Sequence, residues 1–203
     1  ISGGCNCNQY IKGLVKNNIA EYIDIFSYHP YGTIPELYIE DRLNYIKSLF
    51  VECGRKIKFW QGECGRPSQT TVKGRGWKAT TANQARYLTR RILTDLRIGF
   101  DMTSYFCAGD LGSSYQGGSV HGQGVIDTTK EEYRAKPAFF ALQSMAYLFD
   151  SHTKHVISNI EIHPIGGWGA LLKSVSGLNA ITAGFQRGNL PIYAYYFPEN
   201  IDI

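Results

Sequence analysis

Residues 56–68, "KIKFWQGECGRPS", decide how the chain is read. Ile57 to Gln61 has the composition of a buried strand, and it runs directly into Gly62, Glu63, Cys64 and Gly65. Side chains alternate along a strand, so Phe59, Gln61 and Glu63 are expected on one side, with Trp60 and Gly62 turned towards covering helices. That places one carboxylate at a strand's end between two glycines. It can serve chemistry, or it can be a buried acid paired with an arginine that holds a loop.

Upstream, "YIDIFSYHPYG" (22–32) is a strand ending at Pro30 and Gly32, and "PELYIEDRLNYIKSLFVECG" (35–54) carries Leu43, Ile46, Leu49, Phe50 and Cys53 at spacings of three and four. The second segment is a helix with one buried face, Pro35 near its start and Gly54 at its end. In front of both, residues 1–21 resemble the end of one more strand and its helix.

Downstream, a polar loop from about Arg66 to Thr81 contains "KGRGWK". Its Gly74 and Gly76 neither follow a strand directly nor open a helix, so they signal loop flexibility and not a phosphate cradle. A helix follows from about Ala82 to Arg97, with Ala85, Leu88, Ile92 and Leu96 on one face and Gly99 just past its end. "FDMTSYFCAG" (100–109) is the next strand. A Gly/Ser/Gln-rich loop (111–124) then leads to a helix around Pro137 to Phe149, with Phe140, Met145, Leu148 and Phe149 available for packing.

Strands alternating with helices predict an α/β fold with a parallel sheet. Beyond about Lys154 the pattern becomes short apolar strands between Gly, Asn and Pro turns, which predicts a small antiparallel β module. The expected division is 1–152 and 153–203. A (β/α)8 barrel takes roughly 250 residues, so the first segment is read as a partial barrel, about strands five to eight.

Composition narrows the function. The 203 residues hold 21 basic and 17 acidic side chains, a formal charge of +4 without a basic run, so nucleic acid is not expected as a partner. No apolar run reaches the roughly 20 residues of a membrane span, and the first ten residues lack a signal peptide's pattern. Aromatic residues make up 13% of the chain, and such rings fill cores and stack on sugars alike. Of five cysteines, Cys5 and Cys7 form only a C-x-C, so free thiols are expected, with no metal and no cofactor. His121, His152, His155 and His163 share no spacing with carboxylates and are read as surface or loop residues.

Four segments in order, "IDIFSYHPYGTIPE" (23–36), "KFWQGECGRPS" (58–68), "QARYLTRRILTDLRIGFDMTSYF" (84–106) with Gly109-Asp110, and "KPAFFALQ" (136–143), resemble the second half of a retaining glycoside hydrolase barrel. The similarity is to the clan that contains the family 5 cellulases and family 39 xylosidases. It implies that Glu63 is the nucleophile, that His29 and Tyr31 are the sixth-strand pair, with Tyr31 hydrogen-bonding Glu63, and that Phe106 stands at a sugar platform usually held by Trp. Gln61, Arg66 and Asp110 become candidate substrate-binding residues, and the glycines beside Glu63 would leave room for a sugar ring. The implied partner is an oligosaccharide or polysaccharide, with export or a periplasmic location plausible by the same resemblance.

The resemblance also exposes a gap. Retaining hydrolysis uses two carboxyl groups about 5 Å apart, and in this clan the general acid follows an Asn. No Asn-Glu pair occurs in these residues, so the chain alone is expected to be inactive and to need the other half of the barrel or a second chain. Two rivals stand beside this reading: a carbohydrate-binding barrel relative without turnover, and a structural half-barrel that dimerises to cover its open edges.

Overall fold

The computed structural model describes residues 2–3, 8–32, 34–69, 78–112, 122–157, 160, 180–196 and 198. The C-x-C, the Gly74-x-Gly76 loop, most of the Gly/Ser/Gln-rich loop, His121 and His163 lie outside them. Four parallel strands pair in chain order: β1 (Ser2–Gly3), β2 (Ile25–Tyr28), β3 (Lys58–Gln61) and β4 (Met102–Thr103). The connections carry α1 (Asn8–Lys16), α2 (Ile39–Val51) and α3 (Thr81–Ile98).

Beyond β4, a two-stranded antiparallel ribbon, β5 (Ile126–Asp127) and β6 (Arg134–Ala135), leads into α4 (Pro137–Leu148). A three-stranded antiparallel sheet follows, β7 (Thr153–Val156), β8 (Ile181–Arg187) and β9 (Leu190–Tyr196). The fold is therefore mixed α/β. Among the described residues no helix is long and apolar enough to cross a membrane, and no group of three His, Cys, Asp or Glu could hold a metal ion.

Local signals explain the elements. Thr80 caps α3, its hydroxyl accepting from the Asn83 amide at 3.1 Å, and Gly99 closes the helix in the left-handed conformation that glycine adopts without steric cost. Pro137 opens α4, where a missing N–H costs nothing. Helix α2 begins at Ile39, later than Pro35 suggests. The Pro35 carbonyl is engaged by Arg91 instead, and Tyr38 caps the helix at φ 60°.

Two apolar cores result. In the first, α1 and α2 cover the sheet, and Phe26, Phe50 and Phe59 pack with ring centroids 5.4 to 6.4 Å apart. This reverses the expected facing of β3. Phe59 and Gln61 lie on the helix side, whereas Trp60, level with Ser27 and Met102, lies half-buried on the opposite face. Filling the space against an apolar helix stripe takes the large rings of alternate positions, so Phe26 and Phe59 set the facing.

The second core joins α3, α4 and the antiparallel sheet through Leu88, Leu93, Met145, Ala183 and Phe185. Helix α3 lies between both cores, which is why it is buried nearly all round and not along one face. Its polar residues are turned towards strand ends and loops. Phe140 and Leu148 of α4, expected in the core, are exposed.

Candidate functional site

The site lies where β2 and β3 stop. Beyond Tyr28 and Gln61 the chain runs as two loops, and three contacts tie them together. The Tyr31 hydroxyl donates to Glu63 Oε1 at 2.5 Å, the Cys64 thiol donates to the Pro30 carbonyl at 3.4 Å, and Arg66 Nε donates to the Gly32 carbonyl at 2.9 Å. His29 Nδ1 stands 3.7 Å from Glu63 Oε2. The expected trio of His29, Tyr31 and Glu63 is thus brought together.

Strand geometry does not deliver Glu63. The alternation ends with β3 at Gln61, and the loop then turns the Glu63 carboxylate towards the His29 and Tyr31 side chains. The glycines matter for a reason other than the expected one. A Cβ at Gly62 would meet Ser27 Oγ at 1.9 Å, and one at Gly65 would meet the Phe106 carbonyl oxygen at 2.1 Å. The space beside them is filled by protein, so they permit close approach of chain segments and do not make room for a sugar ring.

About a third of the Glu63 side chain is exposed, enough for a ligand to reach it. Burial, and then the hydrogen bond to the Glu63 carboxylate, pushes the Tyr31 hydroxyl well above the usual tyrosine range, so it stays a donor at any physiological pH. Cys64 differs entirely from its neighbour. It is fully buried with Sγ 2.9 Å from Tyr87 Oη, and burial pushes its thiol up to about 11, the opposite of the depressed value of an activated cysteine.

Two expected binding residues are corrected. Gln61 is completely enclosed, and its side-chain oxygen accepts from Thr103 Oγ1 at 2.9 Å and from the Ser104 amide at 2.9 Å. Thr103 in turn donates to Asp95, which pairs with Arg91. Gln61 therefore couples β3 to β4 and α3, because it faces the helices.

Asp110 is buried too, its Oδ1 taking Lys136 Nζ at 2.6 Å and the Gly124 amide at 2.8 Å. A carboxylate neutralised in this way locks loops together and does not meet a sugar. Arg66 acts as the loop clamp described above, with its guanidinium 5.9 Å from the centre of the Tyr87 ring. Phe106 is half-buried beside the site. Its amide donates to the Cys64 carbonyl at 2.9 Å, and its peptide bond to Cys107 is cis.

Several supporting residues left no trace in the sequence reading. Gln84 Nε2 lies within hydrogen-bond distance of the carbonyls of Arg66, Gly122, Gln123 and Gly124, and Lys136 also donates to Ser68. These contacts hold the loop behind Glu63. The Arg91 and Asp95 pair, four apart on α3, was the one visible signal, since such spacing brings two side chains together on a helix.

No protein-family profile matches the chain, and no curated protein matches it in sequence. Solved structures do resemble it. A GH2 β-galacturonidase from Eisenbergiella tayi bound to galacturonate superposes with a TM-score of 0.50 at 15% identity, over 65% of this chain and 25% of that one. The fold is glycosidase-like. The glycerol-bound form of a β-galacturonidase from the same organism gives 0.50 at 15% identity, over 70% and 26%. A GH128 endo-β-1,3-glucanase from Amycolatopsis mediterranei, in complex with laminaritriose and laminaribiose, gives 0.41 at 16% identity, over 70% and 52%. The chain matches about a quarter of the length of the two β-galacturonidases, and likeness at such identity concerns the fold alone.

Proposed function

We propose that this chain is the carboxy-terminal half of a (β/α)8 glycoside hydrolase, residues 1–152, followed by a β module, and that it cleaves β-linked saccharides with retention only when joined by the remainder of the barrel. The observation that carries the reading is the Tyr31 to Glu63 hydrogen bond at the end of a parallel sheet. A nucleophilic carboxylate must be ionised, oriented and reachable, and the hydrogen bond from the Tyr31 hydroxyl supplies the orientation. Partial exposure supplies the reach. Glu63 attacks the anomeric carbon, Tyr31 holds its rotamer, and His29 lies close enough to bias the second oxygen. Phe106 lines the sugar side.

No Asn-Glu pair in these residues supplies the second carboxyl group, which protonates the leaving oxygen, and we assign it to the other half of the barrel or to a second chain. The chain alone is therefore expected to release nothing from an aryl β-glycoside, and the protein that includes the acid to do so with retained configuration. Glu63→Gln in that longer protein is expected to lower turnover by several orders of magnitude, with azide restoring part of it as a glycosyl azide. Activity close to wild type in this variant would refute the assignment.

A further inference from the structure

Beside Tyr31 a cavity of about 330 Å³ opens between the β2-to-α2 connection, α2 and α3. Its volume sits at the lower end of the range of small-molecule sites, about 300 to 1,000 Å³. Tyr28, Tyr31 and Tyr38 supply aromatic walls, Ile34 an aliphatic one, and Arg42 and Arg91 bring two guanidinium groups. No carboxylate is among the described residues that line it.

The cavity is built and not incidental. Arg90 pairs bidentately with Glu36 at 2.6 and 2.7 Å, and Arg91 Nη1 donates to the Pro35 carbonyl at 2.9 Å, so α3 pins residues 35 and 36 in place. Arg42 hydrogen-bonds the Tyr28 hydroxyl, which fixes a second wall. Arg91 is only 2% exposed, and Asp95, its one carboxylate partner, divides itself between Arg91 and Thr103. The Arg91 Nε still has no hydrogen-bond partner among the described residues. The Nε atoms of Arg55 and Arg97 are enclosed in the same way, so the preference for a ligand comes from the two guanidinium groups and the tyrosine walls of the cavity and not from this N–H.

We propose that this cavity binds a small aromatic carboxylate, its ring between the tyrosines and its carboxylate on the Arg42 and Arg91 side. Guanidinium groups match a carboxylate's planar pair of oxygens, and the rings prefer a flat partner. Tyr31 belongs both to this cavity and to the Glu63 hydrogen bond, but Glu63 is not among the residues that line the cavity. The site itself does not depend on the glycosidase reading.

Titration of the chain with benzoate, followed by calorimetry and by ligand-observed NMR, tests the proposal, with benzyl alcohol and acetate as the neutral and ringless probes. Saturable benzoate binding is expected, with both controls weaker by roughly tenfold or more. Arg42→Met and, in a separate protein, Tyr38→Ala should each weaken benzoate by a similar factor. Tyr38 is 75% exposed, so the second variant tests the site even if the first folds poorly. Glu63→Gln should bind benzoate as the parent does, which separates this site from the proposed nucleophile. Absence of saturation, equal binding of benzyl alcohol, or unchanged affinity in a folded Arg42→Met or Tyr38→Ala protein overturns it.

Discussion

Glu63 and Asp110 each stand directly after a glycine in the loops that follow β3 and β4, and each looked in sequence like an acid waiting for a substrate. The structure treats them oppositely. Glu63 keeps a third of its side chain in solvent and meets a neutral hydroxyl donor, whereas Asp110 is sealed and neutralised by a lysine from the start of α4. The contrast teaches that an acid's role is set by the partner brought to it. A hydroxyl donor orients a carboxylate that solvent still reaches, while a buried ammonium pairs with one that is sealed.

The largest expected effect breaks the closed site. Lys136→Met leaves Asp110 buried without its cation and should lower unfolding stability by about 3 to 5 kcal/mol, measured by urea denaturation. Asp110→Asn added to it should return at least half of the loss, because the amide oxygen still accepts from Gly124. A single variant as stable as the parent would mean that the pair holds nothing.

Gly65→Ala comes next. Its methyl group collides with the Phe106 carbonyl, a backbone atom that cannot rotate away, so a loss of about 1 to 3 kcal/mol is expected by the same measurement. Stability unchanged by this variant would show that the two loops can separate freely. Glu63→Gln should then stay within about 0.5 kcal/mol of the parent, since an exposed carboxylate contributes to chemistry more than to folding. A loss comparable to that of Lys136→Met would erase the distinction between the two acids.

The smallest effect lies away from both. His155 packs beside the Phe185 ring, and burial, followed by repulsion from Arg97, holds its pKa below the ordinary value. Between that lowered value and about 6.5 the unfolded chain binds more protons than the folded one, so stability falls as pH drops through this window. His155→Gln should flatten the slope there. An unchanged slope would assign it to groups other than His155.

Much of the fold was legible because it rests on local rules. Helix α3 was expected from about 82 to 97 and occupies 81–98, since a Thr cap and a terminal glycine mark its limits. Helix α4 was expected from 137 to 149 and occupies 137–148. The strand over 100–109 was overestimated. Only Met102 and Thr103 pair with β3, because the chain then turns aside to meet Cys64, Gln123 and Ile126. Cooperation among distant segments of this kind has no local signature.

By itself the sequence determined the alternation of the first strands and helices, the parallel first sheet and the antiparallel last one, while the ribbon of β5 and β6 went unseen and the grouping of His29, Tyr31 and Glu63 came from the family resemblance. Periodicity, caps and strand order are properties of neighbouring residues, and a parallel sheet brings the ends of its strands together wherever it forms. Only the tertiary structure decided which face of β3 is covered, that Gln61 and Asp110 are enclosed, and that Arg66 clamps a loop. Those outcomes depend on which side chains arrive from helices α2, α3 and α4, and the desolvation that separates a structural acid from a reactive one exists only once they have packed.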